Sequence, residues 1–123
     1  NSMESVELSA IGGKAAEGIV VGSVFTPYSD QPEVKSFVTS FRAEYQLEPT
    51  SYAALGYDAV KMLAAAMVKA GVEDRSAIAE VLRNMGKWPG ACGMHELSPE
   101  GDELGDLVVL KQLQDGKFVY LEK

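Results

Sequence analysis

Residues 50–71 read TSYAALGYDAVKMLAAAMVKAG, and both ends of this stretch carry helix-end signals. Pro49 precedes it, Thr50 or Ser51 offers a side-chain oxygen to the free amides of a first turn, and Gly71 supplies the residue that tolerates a left-handed end. Between them, Leu55, Val60, Met62, Leu63, Met67 and Val68 are spread round the helix among seven alanines. Only a narrow polar stripe through Asp58, Lys61, Ala65 and Lys69 is left, so the pattern predicts a central helix covered on several sides. At 1.5 Å per residue it is about 28 Å long, the width of a small domain. Asp58, Lys61 and Lys69 interrupt it too often for a membrane span.

Working outward, residues 18–25, GIVVGSVF, form a β-branched apolar run bounded by Gly18 and by Thr26-Pro27. It is too short for a helix and apolar on both faces, which predicts a buried strand of parallel type. Pro32 then opens a second helix to about residue 46, capped by Ser29, Asp30 or Gln31, with Val34, Phe37, Val38, Phe41 and Tyr45 on its core face. On the other side of the long helix, Asp74 caps a helix over 75–85, which Gly86 ends. Residues 4–10 read as a short helix stopped by Gly12-Gly13. The stretch GKWPGACG and the later SPEGDELGD are turn chemistry, with MHEL as a short strand between them. Residues 106–113 and 117–121 are two strands joined around Gln114-Asp115-Gly116; Asp115-Gly116 suits a two-residue type I′ turn and sets Leu113 opposite Phe118 and Lys111 opposite Tyr120.

The chain has 123 residues, 46% of them hydrophobic, enough for one domain or one piece of a larger protein with a core of its own. Eleven basic against 18 acidic residues give a formal charge of −7. That balance repels phosphate backbones and anionic headgroups, so nucleic acid and acidic membranes are poor partners. One cysteine, Cys92, excludes an internal disulfide. No basic and apolar leader opens the sequence, as in a cytoplasmic protein or in a chain whose leader has been lost.

Enzyme chemistry finds little material. Cys92 and the single His95 stand three apart, half a zinc site at most, and read as a small buried thiol and a partly exposed imidazole. The acidic cluster Glu96, Glu100, Asp102, Glu103 and Asp106 lacks the spacing of a calcium loop and reads as a solvated loop. Neither glycine pair sits between a strand and a helix in the order that cradles phosphate. No catalytic residue, metal or cofactor is expected.

Several phrases, in this order, resemble a known family: GGKAAEGIVVGSVF; the Phe37, Phe41, Tyr45 helix; Pro49 through YAALGYDAVKMLAAAM; GACGMHELSPEGD; and QDGKFVYL. Together they resemble the C-terminal third of a type I periplasmic-binding-protein-like domain, the branched-chain amino acid (Leu/Ile/Val) binding proteins of ABC transporters. Two departures stand in one turn: Leu97-Ser98 replaces the family's aromatic-Asp, and His95 replaces an apolar residue.

The resemblance implies an α/β fold, a fragment of a two-lobed type I periplasmic binding protein with one apolar strand, three main helices and a C-terminal β-hairpin. About 18–25 and 106–121 would belong to one lobe and about 31–86 to the other, with crossings at 26–30 and after Met94. The function implied is non-enzymatic: an extracellular or periplasmic solute-binding protein of an ABC importer, free or lipid-anchored. It would close a cleft on an amino acid or similar small molecule and present the closed form to a permease. The alternative is the ligand-sensing domain of a receptor or regulator with the same fold. Carried over by position, Tyr52 at the start of the long helix would line the cleft against the ligand, with Phe25 and Tyr28 as weaker candidates. A chain with a third of a lobed protein exposes strand edges and an apolar patch. It is therefore expected to be dimeric or domain-swapped, the alternative being a compact monomer in which residues 18–25 and the hairpin share one small sheet.

Overall fold

A computed structural model describes residues 4–105 and 108–121. The long helix, α3, spans Ser51–Ala70. Thr50 caps it, its side chain accepting from the Ala53 amide, and Gly71 ends it in the left-handed conformation. Its packing is not the one its composition predicts. The buried positions are Ser51, Ala54, Asp58, Met62 and Ala66, a single stripe stepping by three or four residues. Val60 and Val68 are largely exposed, at 68% and 84%, and Leu63 and Met67 are nearly half exposed. The helix is thus covered on one side, and Asp58, expected on the polar stripe, is 1% exposed. Alanine explains the discrepancy: it is compatible with either side of a helix, and small side chains let α4, Arg75–Arg83, pack closely on α3.

Strand β1 is Val20–Ser23, shorter than expected, and it pairs antiparallel with β4, Val109–Gln114, which pairs antiparallel with β5, Lys117–Leu121. The sheet order is β1-β4-β5. The expectation of a parallel strand is therefore corrected, and so is burial on both faces. Val21 and Ser23 point inward while Val20 and Gly22 are exposed, the alternation of a sheet covered on one side only. The hairpin register is as read from the sequence, with Leu113 opposite Phe118 and Lys111 opposite Tyr120. Its turn uses positive φ at both Asp115 (50°) and Gly116 (74°), as a type I′ turn requires. The expected start of β4 at 106–107 lies outside the described residues.

Helix α1, Val6–Gly12, begins and ends two residues later than expected and runs into a 3-10 turn, Gly13–Ala15. Helix α2, Pro32–Tyr45, carries Pro32 in its first turn and buries Val34, Phe37 and Val38. Helix α4 stops at Arg83, two residues before the expected end. Between α4 and β4 the sequence reading missed a strand: β2, Trp88–Gly90, pairs with β3, Gly93–His95, as a hairpin. Beyond it, Ser98 Oγ accepts from the amides of Glu100, Gly101 and Asp102 at 3.1–3.2 Å and folds the loop back on itself.

The core joins Phe25, Val34, Phe37, Val38, Ala54, Ala91 and Cys92. Phe37 is its hub, meeting Phe25 edge-on at 5.8 Å and lying 5.7 Å from Phe41 and 4.9 Å from Tyr57. Each such ring removed from water contributes about 2–3 kcal/mol, and edge-on geometry adds to that. The segment after β1, α2, the first turns of α3 and the β2–β3 hairpin therefore share one core.

Candidate functional site

A concavity sits where α1, the start of α3 and the β4–β5 turn converge. It is a groove of about 490 Å³ walled by Glu4, Ser5, Glu7 and Ser9, by Glu48 through Tyr52, and by Gly116 through Phe118. Local chemistry sets each wall. Ser5 caps α1, accepting from the Leu8 amide at 3.1 Å. Glu17 accepts from the amides of Asp115 and Gly116 at 2.9 and 2.8 Å, and Ser9 donates to the Gly116 carbonyl at 2.6 Å, so the hairpin tip is tied to the first segment. Tyr52, one residue into α3, is 63% exposed on the groove.

Beneath the groove lies a polar cluster. The Glu4 carboxylate accepts from Ser51 Oγ at 2.7 Å, from Ser23 Oγ at 2.5 Å and from Lys111 Nζ. Ser23 and Ser51 are 3.0 Å apart. Burial alone would raise the Glu4 carboxyl, but the bonds from Lys111, Ser23 and Ser51 together with the Lys111 charge hold it below its ordinary value. This cluster fastens β1, β4, α1 and α3 at one point and fixes the first turn of α3, hence Tyr52. Glu4 is paired with Lys111 and Glu48 with Arg42 at 2.7 Å, which leaves Glu7 against Lys117, so the wall charges nearly balance and the groove offers polar groups beside the Tyr52 and Phe118 rings.

Of the three sequence candidates, Tyr52 alone lines this groove. Phe25 is 2% exposed, packed on Phe37, and borders a separate small cavity of about 90 Å³ with Thr26, Val34 and Cys92. Tyr28 stands 74% exposed on the turn after β1. Sequence reasoning missed Glu4, Ser23, Ser51 and Lys111. A signal was present: Ser23 follows Val21, and Lys111 precedes Leu113, on the period-two positions that face inward, where a polar residue demands a partner.

A second buried constellation lies under the β2–β3 hairpin. Asp58 accepts from the amides of Ala91 and Cys92, both at 2.7 Å, and faces His95 Nε2 at 3.0 Å. His95 Nδ1 faces Glu103 Oε2 at 2.7 Å, and Glu103 also accepts from the amides of Glu96 and Gly105. His95, expected to be partly exposed, is 5% exposed, and Glu103 is drawn out of the solvated acidic loop to meet it. The Cys92 thiol is pushed up to about 12 by burial and by neighbouring Asp58, so it is not a thiolate nucleophile at neutral pH.

Residues 1–117 match the periplasmic binding protein family. The Leu/Ile/Val-binding protein homolog 1 of Brucella suis is 31% identical, over 97% of this chain and 32% of its own length. Among solved structures, an ABC transporter substrate-binding protein of Desulfitobacterium hafniense in complex with Leu is 47% identical, with a TM-score of 0.81 over 92% of this chain and 33% of its own. A leucine-binding protein of Thermotoga maritima is 34% identical, with a TM-score of 0.86 over 96% of this chain and 34% of its own. A solute-binding protein of R. palustris in complex with benzoate is 27% identical, with a TM-score of 0.76. The chain thus spans about a third of the length of the relatives it matches.

Proposed function

This chain belongs to the periplasmic binding protein family, and we propose that it contributes part of the ligand cleft of an extracytoplasmic solute-binding protein serving an ABC importer. The observation that carries this reading is Tyr52, exposed at the first turn of α3 on an open groove, in a chain 47% identical to a substrate-binding protein solved with Leu. The ligand class is an amino acid or similar small molecule, since relatives 47% and 34% identical are a substrate-binding protein solved with Leu and a leucine-binding protein, and the groove's aromatic wall suits an apolar side chain. Phe25 and Tyr28, beside the crossing at 26–30, are the weaker candidates for the cleft wall, Tyr28 exposed there and Phe25 anchored in the core.

In this reading, residues of both lobes close on the solute, and the closed form is what a permease reads. Closure is selective because polar groups it buries are satisfied only with ligand in place. The protein acts outside the cytoplasmic membrane, free or lipid-anchored. Taken alone, the 123-residue chain pairs with a second copy through the apolar surface it leaves uncovered.

The test is Tyr52→Ala in the full two-lobed protein, titrated calorimetrically with leucine, isoleucine and valine. Loss of aromatic burial against the ligand is expected to weaken binding by about 1–3 kcal/mol, with the far-UV spectrum retained. Unchanged affinity in a folded variant would remove Tyr52 from the site.

A further inference from the structure

We propose that His95 is a proton-operated latch that holds the β2–β3 hairpin and the loop after it, residues 96–105, against α3. The latch is a property of this chain's own fold and does not rest on the ligand reading. The geometry is specific: each ring nitrogen faces a different carboxylate, Nε2 toward Asp58 on α3 at 3.0 Å and Nδ1 toward Glu103 in the loop at 2.7 Å. A neutral imidazole has one N–H and one lone pair, so it satisfies only one of two acceptors. Both contacts are made only by the imidazolium.

The burial of the partners requires the same state. The Asp58 side chain is 2% exposed and that of His95 6%. Among the described residues, the ring is the one cationic group within ion-pair distance of Asp58. An ionised carboxylate at that depth is costly without a counter-ion, and here two amides and one imidazolium surround it. The other groups around the ring do not supply the charge. Cys92, in the hairpin turn, has its thiol pushed up to about 12 by burial and by Asp58 and is neutral at neutral pH. Trp88, across the hairpin, sets its ring 5.9 Å from the imidazole and does not titrate. Glu96 donates its backbone N–H to Glu103 at 2.9 Å.

The direction of the pH response follows. Burial alone would lower the His95 pKa, but the bonds and charges of Asp58 and Glu103 outweigh it and raise the value above the ordinary 6.5. The ring's share of the latch is therefore fully present below pH 6.5 and is lost as pH rises through the folded value. Glu103 works from the other side. Burial raises its carboxyl, yet the Glu96 amide, the His95 ring and the Gly105 amide together hold it below 4.5, so its share is present above that pH and lost as pH falls through the lowered value. Deprotonation of the ring turns a lone pair toward one carboxylate and removes the bond between α3 and the loop through residue 95.

His95 is the chain's single histidine, so its ring resonances need no assignment by mutation. We would titrate the wild-type chain by NMR, following the ring together with the amides of Ala91, Cys92, Glu96 and Gly105. The expected result is a ring midpoint above 6.5 shared by those amides, with hydrogen-exchange protection of the hairpin, corrected for intrinsic rates, falling on the alkaline side. In Glu103→Gln, a half-exposed position where folding should persist, the midpoint should fall by about one pH unit. A wild-type midpoint at or below 6.5, amides that do not follow the ring, or a midpoint unmoved in Glu103→Gln would each overturn the latch.

Discussion

A Cβ on Gly90 would stand 2.6 Å from Asp58 Oδ2 and 2.7 Å from its Cγ. Asp58 cannot retreat, because the Ala91 and Cys92 amides hold its two oxygens at 2.7 Å and His95 closes the third side. Glycine is needed there for close approach. Gly90→Ala is therefore expected to cost about 2–4 kcal/mol in urea unfolding, from overpacking and from loosened bonds to a buried carboxylate. Gly22→Ala, where a Cβ meets nothing within 4 Å, should stay within about 0.5 kcal/mol of wild type. Equal losses at the two positions would mean that Gly90 is not shaped by Asp58. None of this was visible in the sequence, for a physical reason. Asp58 looks like one more charge on a helix, and the groups that bury it lie 33, 34 and 37 residues away. Helical periodicity reports a side chain's angle about the axis and says nothing of partners that far along the chain.

Elements whose ends are fixed by neighbouring residues were legible. Thr50, one of the two caps read for α3, and Asp74, the cap read for α4, accept from the amides of Ala53 at 3.3 Å and Ala77 at 2.8 Å, and Asp115-Gly116 makes the expected turn. The direction of β1 was not legible, because an apolar run of this length fits a parallel or antiparallel neighbour and the choice is made by β4, some ninety residues on. The strand β2 was hidden by its Gly-Pro composition, which reads as a turn; Pro89 is accommodated in a three-residue strand that has one partner. Among the site residues the same division holds. The position of Tyr52 in the first turn of α3 was legible because it belongs to a local helix start, whereas Glu4, Ser23 and Lys111 meet only through tertiary packing. The cap also carries a prediction. Thr50→Ala should lower stability by about 1 kcal/mol in thermal or urea unfolding, with Thr50→Ser restoring most of it. If Thr50→Ala leaves stability unchanged, the Glu4–Ser51 contact rather than the cap is what fixes the start of α3.

At the scale of the whole molecule, what matters is the surface left bare. The sheet forms within one chain, with Val21, Ser23, Lys111 and Leu113 covered, while Val20 at 51%, Leu110 at 45% and Val119 at 41% stay exposed on the other face. Strands β1 and β5 are both edges, and the far side of α3 adds Val60, Leu63, Met67 and Val68. In a chain a third as long as its relatives, these are surfaces that additional protein would cover. Alone in solution, the 123-residue chain is expected to cover them with a second copy, α3 against the partner chain, by edge pairing or by exchange of helices across 26–30 and 86–93. Multi-angle light scattering at micromolar concentration should give twice the 13.2 kDa chain mass. Replacing Val60 and Val68 together by lysine, at exposed positions that leave the buried stripe of α3 intact, should return the mass to one chain. A stable monomer in the wild type would show instead that the small sheet and the four helices suffice by themselves. A dimer that survives both lysines would move the interface from α3 to the open strands, where Val20→Lys on the β1 edge becomes the substitution that separates the copies.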